Sequence, residues 1–169
     1  MKLRTLRPGD ADALLAFELA NRAWFESKVE ARPPGFYSGA GVAHHIADCL
    51  AKYEVGTMHP CLLVDDDDSI LGRTNLRDID AASQRAEIGY RIAQHACGRG
   101  LAGLALRHML AQAYSRWQLA SVEAYVTVNN PISAHILAKQ GFQLVGLEPA
   151  HAEVAGQRLD CHHYRHLRV

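Results

Sequence analysis

The chain has 169 residues, enough for one domain that buries roughly two-thirds of its unfolded surface with no need of a disulfide or structural metal. Its 18 basic and 18 acidic side chains cancel, and no basic block of five or more occurs, which argues against a stable nucleic-acid partner and against a membrane partner. Cys49, Cys61, Cys97 and Cys161 are scattered without a CxxC pair, and the N-terminal segment has only one short apolar run, at 13–17. The expectation is a cytoplasmic protein with free thiols and neither signal peptide nor membrane span.

In chain order, a strand is predicted near residues 2–7 and a helix near 11–21, with Asp10 a natural N-cap. A linking segment around 32–36 leads to a second helix carrying Val42, Ile46 and Leu50 at helical spacing. Strands at 61–64 and 69–72 are joined by four aspartates, 65–68. These sit where a hairpin turn belongs and lack calcium-loop spacing, so they read as a solvated turn. The adjacent pairs His44-His45 and His162-His163 point their side chains apart on a helix or strand, which suits structural or surface roles better than a metal site.

Residues 85–92 read as a strand that runs through Ala93-Gln-His-Ala-Cys97 into Gly98-Arg99-Gly100-Leu101-Ala102 and then a helix. That helix, 101 to about 117, carries Leu106, Leu110, Ala113, Tyr114 and Trp117 on one core-facing stripe. A strand, glycine turn and helix in succession gather unpaired backbone N–H groups and the positive end of a helix dipole around one point, an anion site. Gly98 and Gly100 permit a turn that side chains would obstruct, and Ala102 keeps the first helical turn slim. No Gly-Lys-Ser/Thr follows, and the motif lies mid-chain, so Walker and dinucleotide loops are excluded.

Residues 122–128 alternate and are β-branched, a strand ended by Asn129-Asn130-Pro131. Pro131 suits a first helical turn, a helix over 132–139 follows, and Gly141 is placed as its C-terminal cap. Strands at 142–145 and 158–167 complete the chain.

Two segments, Cys97-Gly98-Arg99-Gly100-Leu101-Ala102 and Asn130-Pro-Ile-Ser133 leading to Lys139-Gln-Gly141-Phe142, resemble the signatures of the GNAT superfamily of acyl-CoA N-acyltransferases. Phe17-Glu18, Asn21-Arg22, Phe25-Glu26, Arg32-Pro33 and Phe36-Tyr37 are similar to the branch that acetylates N-terminal alanine of ribosomal proteins. So is the ending Gly156-x-x-x-Asp160-x-x-x-Tyr164. The resemblance covers essentially the whole chain. It implies a single α/β domain, 1–169, with a mixed, strongly twisted sheet and helices on both faces. Acetyl-CoA would bind in the V where strands 85–92 and 122–128 splay, with no metal required.

The resemblance also implies roles for particular residues. Glu87 would deprotonate the amine and Ser133 would meet the departing thiolate; the alternatives are a strand residue balanced by Arg85 or Arg91 and a hydroxyl bonded to nearby backbone. Ile92, Cys97, Gly98, Arg99, Gly100, Leu101, Ala102, Asn130, Ser133 and Lys139 would hold the cosubstrate, while Phe25, Glu26 and Tyr37 would wall the acceptor site. Three departures stand out. Cys97 replaces the Gln or Arg that opens the phosphate turn, and a helix N-terminus beside it would lower the thiol pKa. Leu137 occupies the place of a tyrosine found in many relatives, and Ala150 that of the ribosomal branch's glutamate. The acceptor would be a peptide N-terminus or a small amine such as an amino acid or antibiotic, on a monomer or homodimer. A non-catalytic acyl-CoA sensor is the rival reading.

Overall fold

A computed structural model describes residues 1–169. The strands are β1 (Lys2–Thr5), β2 (His59–Val64), β3 (Ile70–Asp80), β4 (Arg85–Ile92), β5 (Ser121–Thr127), β6 (Gln143–Val154) and β7 (Gln157–Leu167). The helices are α1 (Ala11–Ala20), α2 (Arg22–Glu26), α3 (Gly39–Glu54), α4 (Leu101–Ser115) and α5 (Pro131–Lys139). One mixed sheet runs in the order β1-β2-β3-β4-β5-β7-β6.

Helices cover both faces, and strand alternation shows how. On β3, Arg73 reaches Glu18 of α1 and His45 of α3, whereas Leu76, of opposite parity, packs with Leu106 and Met109 of α4. Leu14, Phe17, Val42, Ile46 and Leu62 fill the first side; Ile88, Leu110, Val122, Val126 and Leu137 fill the second. Buried apolar side chains of this kind each contribute about 1.5–3 kcal/mol.

Several elements differ from the sequence-based expectation. Strand 69–72 extends to Asp80, paired with β2 and β4; Arg73 and Asn75 are polar residues turned toward a groove, which disguises the alternation. Strand 142–145 likewise extends to Val154, with breaks in register at Val145 and around 149–151. α4 ends at Ser115, and Trp117 instead donates its indole N–H to His59 Nδ1 at 3.0 Å. Asp10 does not cap α1 through its side chain; its Oδ2 accepts from Arg7 N at 2.7 Å and from Arg4 at 2.9 Å. Burial opposes ionisation of Asp10, but the Arg4 guanidinium outweighs it and holds the carboxyl below its ordinary range. The aspartate turn closes on itself, Asp65 Oδ1 accepting from Asp67 N at 3.0 Å and Ser69 N at 2.9 Å.

The feature that positions everything below is the junction of β4 and β5. These parallel strands pair only at Arg85–Ser121, Ala86–Val122 and Glu87–Glu123. Beyond Glu87, β4 stays with β3 as far as Ile92, and β5 stays with β7 as far as Thr127. The sheet therefore opens into a V whose inner edges have main-chain groups with no strand opposite.

Candidate active site

The V opens into a groove of about 830 Å³ lined from both faces of the sheet. At its α4 end lies the glycine turn. Gly98 and Gly100 have φ of +76° and +74°, a left-handed conformation that costs other L-residues roughly 1–2 kcal/mol. A Cβ at either position would meet nothing within 4 Å. Backbone conformation, not crowding within the protein, is thus what the turn demands, and the space in front of it is open. Gly100 caps α4 with no side chain occupying the first-turn amides, so Leu101, Ala102 and Gly103 present free N–H groups there. Arg107, Lys139 and Gln140 also line the groove, while Arg99 does not. Cys97 sits at its edge with Sγ donating back to Ala93 O at 3.4 Å. Burial pushes this thiol up, opposite to the lowering expected from a helix N-terminus.

At the throat the two arms of the V are bridged by one hydrogen bond, Tyr90 Oη to Ser133 Oγ at 2.6 Å. Ser133 is aimed by local structure: Asn130 caps α5, its Oδ1 accepting from Ser133 N at 3.2 Å. Leu137 is buried in the core behind. The phenol in this throat therefore comes from β4, not from α5. Burial pushes Tyr90 up, partly opposed by its bond to Ser133. Tyr90 escaped the sequence reading, although an Ile-Gly-Tyr segment on the strand before the turn was visible. Ile92 is buried, and its carbonyl accepts from the Trp24 indole at 3.2 Å.

On the opposite side, strand register directs Glu87, Gly89 and Arg91 toward α1 and α3. Glu87 lines the groove and is ion-paired with Arg77 across β3, rather than with Arg85 or Arg91. Its neighbour Glu123 accepts from Arg165 at 2.8 Å and His163 at 2.5 Å. Burial works against the Glu123 anion, yet these partners hold its carboxyl below the usual range. Tyr125 is stacked between His151 and His163, with ring centroids at 4.4 and 4.6 Å. Ala150 adopts φ +48° and donates its N–H to Asp160 Oδ1 at 2.8 Å. This irregular backbone turns His151, not Ala150, into the groove.

Phe25 is buried and lines the groove beneath Arg91. Glu26 and Tyr37 do not line it: Glu26 Oε1 accepts from Arg22 at 2.8 Å and Tyr37 Oη at 3.3 Å. The wall there is built instead by Arg32, Arg73 and Arg91, held together by Glu18, which is fully buried behind them. Glu18 Oε1 accepts from Arg73 at 2.5 Å and Arg32 at 3.0 Å, and Oε2 lies 3.8 Å from Arg91. Burial would raise this carboxyl; Arg73 and Arg32 outweigh it and hold it low. Phe17-Glu18 was singled out in the sequence, but its partners lie 14, 55 and 73 positions away and no local signal joins them.

No group of three or more His, Cys, Asp or Glu side chains is arranged to hold a metal ion, and no helix is long and apolar enough to cross a membrane.

Comparison with known proteins bears on this geometry. The profile of the acetyltransferase (GNAT) domain matches residues 1–143. "Probable N-acetyltransferase YjcK" of Bacillus subtilis is 28% identical over 156 residues, covering 91% of this chain and 86% of that protein. The ribosomal-protein-S5-alanine acetyltransferase of Vibrio fischeri superposes with a TM-score of 0.93 at 18% identity, covering 98% of this chain and 91% of that one. Mycobacterium smegmatis RimJ, solved with CoA-disulfide, gives 0.89 at 26% identity, covering 98% and 80%. With the splayed strands, the glycine turn and a profile match over most of its length, this chain belongs to the GNAT acetyltransferase domain family.

Proposed function

We propose that this protein, acting as one domain over 1–169, transfers an acetyl group from acetyl-CoA to the α-amine of a peptide or protein N-terminus. The observation that carries the reading is the V itself: one groove with an open backbone-amide cradle at one end and a carboxylate, Glu87, facing the other. Support for the cosubstrate comes from the fit of the turn, whose glycines leave open space before the free amides of α4, and from the CoA-disulfide reported for the RimJ relative. Support for the acceptor comes from the ribosomal-protein-S5-alanine acetyltransferase of Vibrio fischeri, which shares the fold, with small amines as the competing class because a spermidine acetyltransferase shares it too.

In this reading main-chain amides of residues 98–103, helped by Arg107 and Lys139, hold the pyrophosphate remote from the reaction and fix the thioester in the throat. Glu87, positioned by its ion pair with Arg77, takes the proton from the ammonium, directly or through water. The neutral amine attacks the thioester carbonyl, the new C–N bond forms as the C–S bond breaks, the sulfur takes a proton from the Ser133–Tyr90 hydroxyl pair, and the second proton shed by the attacking nitrogen restores that pair through water. Glu87→Gln tests this. With a short peptide beginning in Ala, Ser or Gly, kcat should fall about a hundredfold or more and the acidic limb of the pH–rate profile should vanish. Full activity would remove Glu87 from the mechanism, and acetylation confined to free amino acids, polyamines or aminated antibiotics would overturn the peptide assignment.

A further inference from the structure

The acceptor wall holds more positive charge than it neutralises. Arg32, Arg73 and Arg91 converge on the single carboxylate of Glu18. The other groups nearby do not redress the balance. His45 accepts a hydrogen bond from Arg73 and is driven down to about 3 by burial, Arg73 and Arg32, so it is neutral. Glu26 is engaged by Arg22, and the Glu30 carboxylate, which also lines the groove, accepts from Glu153 N at 3.1 Å and pairs with none of the three guanidiniums. Arg91 spends one nitrogen on the Glu30 carbonyl at 3.1 Å. Three guanidiniums against one carboxylate leave an excess of two charges beside a groove. Such charge is costly to desolvate unless an anion joins it. Arg32 Nε is buried with no acceptor. Arg32 and Arg91 keep 20% and 16% of their side chains exposed, while Arg73 reaches the groove with only 8%.

Register arranges this charge relative to the proposed base. Pairs across β3 and β4 run Arg77–Glu87, then Asn75–Gly89, then Arg73–Arg91, all on one face. Asn75 Oδ1 is buried without a hydrogen-bond partner. Moving along the wall from Glu87, a substrate would meet a carboxylate, an unpartnered carbonyl and a guanidinium cluster, spaced by roughly 7 Å per pair of residues. An extended peptide advances about 3.3–3.6 Å per residue. Long side chains on both partners shorten the reach, which puts a carboxylate at the second or third residue against Arg32 and Arg91. We infer that the acceptor carries a carboxylate, recognised by the Arg32–Arg91 cluster, and that its source is an acidic side chain shortly after the acetylated residue. This rests on the peptide-acetylating reading above.

The test is kcat/KM on C-terminally amidated peptides that differ by Glu against Gln, or Asp against Asn, at the second or third position. A parallel arm compares free amino acids with their amides. At least a tenfold preference for the acidic member is expected. In Arg32→Gln and Arg91→Gln, each checked for folding by thermal unfolding, the ratio should collapse toward one. Equal rates on acidic and neutral peptides would overturn this inference while leaving peptide acetylation standing. A preference seen only for the α-carboxylate of free amino acids would keep the anion site and overturn its peptide source. No acetylation of any peptide or amino acid would overturn both readings.

Discussion

The two ends of the groove are built on opposite principles. The end beside α4 is a product of one continuous stretch, 92–103, and what it exposes are main-chain amides beside two left-handed glycines. The acceptor end is assembled from side chains on α1, β3, β4 and the segment after α2, cross-linked through the buried Glu18. A backbone site can lose its ligand without the fold noticing. A side-chain wall in which charges neutralise one another is part of the fold as well as of the site.

That difference predicts where mutations register. Glu18→Gln should have the largest effect, on stability: it strands three guanidiniums around a neutral amide, and breaking a buried charge cluster typically costs about 3–5 kcal/mol. Chemical denaturation should show it, and a variant as stable as the parent would mean that water already screens the cluster. Gly100→Val should do the reverse. Affinity for CoA should fall at least a hundredfold by calorimetry, from a side chain intruding where phosphate would sit, while unfolding shifts only by the strain of a left-handed valine, about 1–2 kcal/mol. Unchanged affinity would move the pyrophosphate away from this turn.

The same contrast explains what could be read from the chain. The strand, turn and helix of the cradle are contiguous, so glycine spacing and periodicity exposed them, and Asn130 capping α5 ahead of Ser133 was equally local. The acceptor wall was opaque. Arg73 and Asn75 interrupt the hydrophobic alternation that marks a strand, and so hid most of β3 as well as their own role. Glu87 could be put on its strand, but its face and its partner Arg77 follow from register between strands, which no single segment encodes. Glu26 and Tyr37, adjacent in pattern to Phe25, pair with Arg22 and each other outside the groove because a break at Asn21 starts a new short helix. Asn21 enforces that break from both ends, donating to Phe17 O and accepting from Gln94 N, each at 2.9 Å.

The throat lies between these regimes, since Ser133 is placed locally by Asn130 but is joined to Tyr90 across the V. Ser133→Ala and Tyr90→Phe should each lower kcat about tenfold with little change in CoA affinity, because either hydroxyl can partly cover for the other. The double variant should fall further than either alone, by up to the range typical of acid assistance, about a hundredfold or more. If the double variant matched the worse single one, the pair would be acting as one chain, with one hydroxyl serving only to deliver a proton to the other.

The smallest effect expected concerns pH, and it sharpens the claim that the acceptor wall belongs to the fold. His45 Nε2 accepts from Arg73 at 2.7 Å and also lies 3.6 Å from Cys49 Sγ. A proton on that nitrogen would face a guanidinium, so burial and then Arg73 and Arg32 depress the imidazole from 6.5 to about 3, against weaker opposing fields from Glu18 and Asp48. His59, the buried first residue of β2, is lowered to about 4 for the same leading reason. The unfolded chain takes up protons at both histidines near pH 6.5 while the folded chain refuses them. Their contribution to stability is therefore complete above that pH and is lost as pH falls through the window toward 3–4, by up to about 1.4 kcal/mol per pH unit for each histidine. Denaturant midpoints measured at pH 7, 6 and 5 should decline accordingly. His45→Gln, which keeps an acceptor for Arg73 but cannot titrate, should have a shallower slope by about one proton's worth. Parallel slopes for the two proteins would show that the imidazole titrates freely, and that the charged wall is less closed to water than its geometry implies.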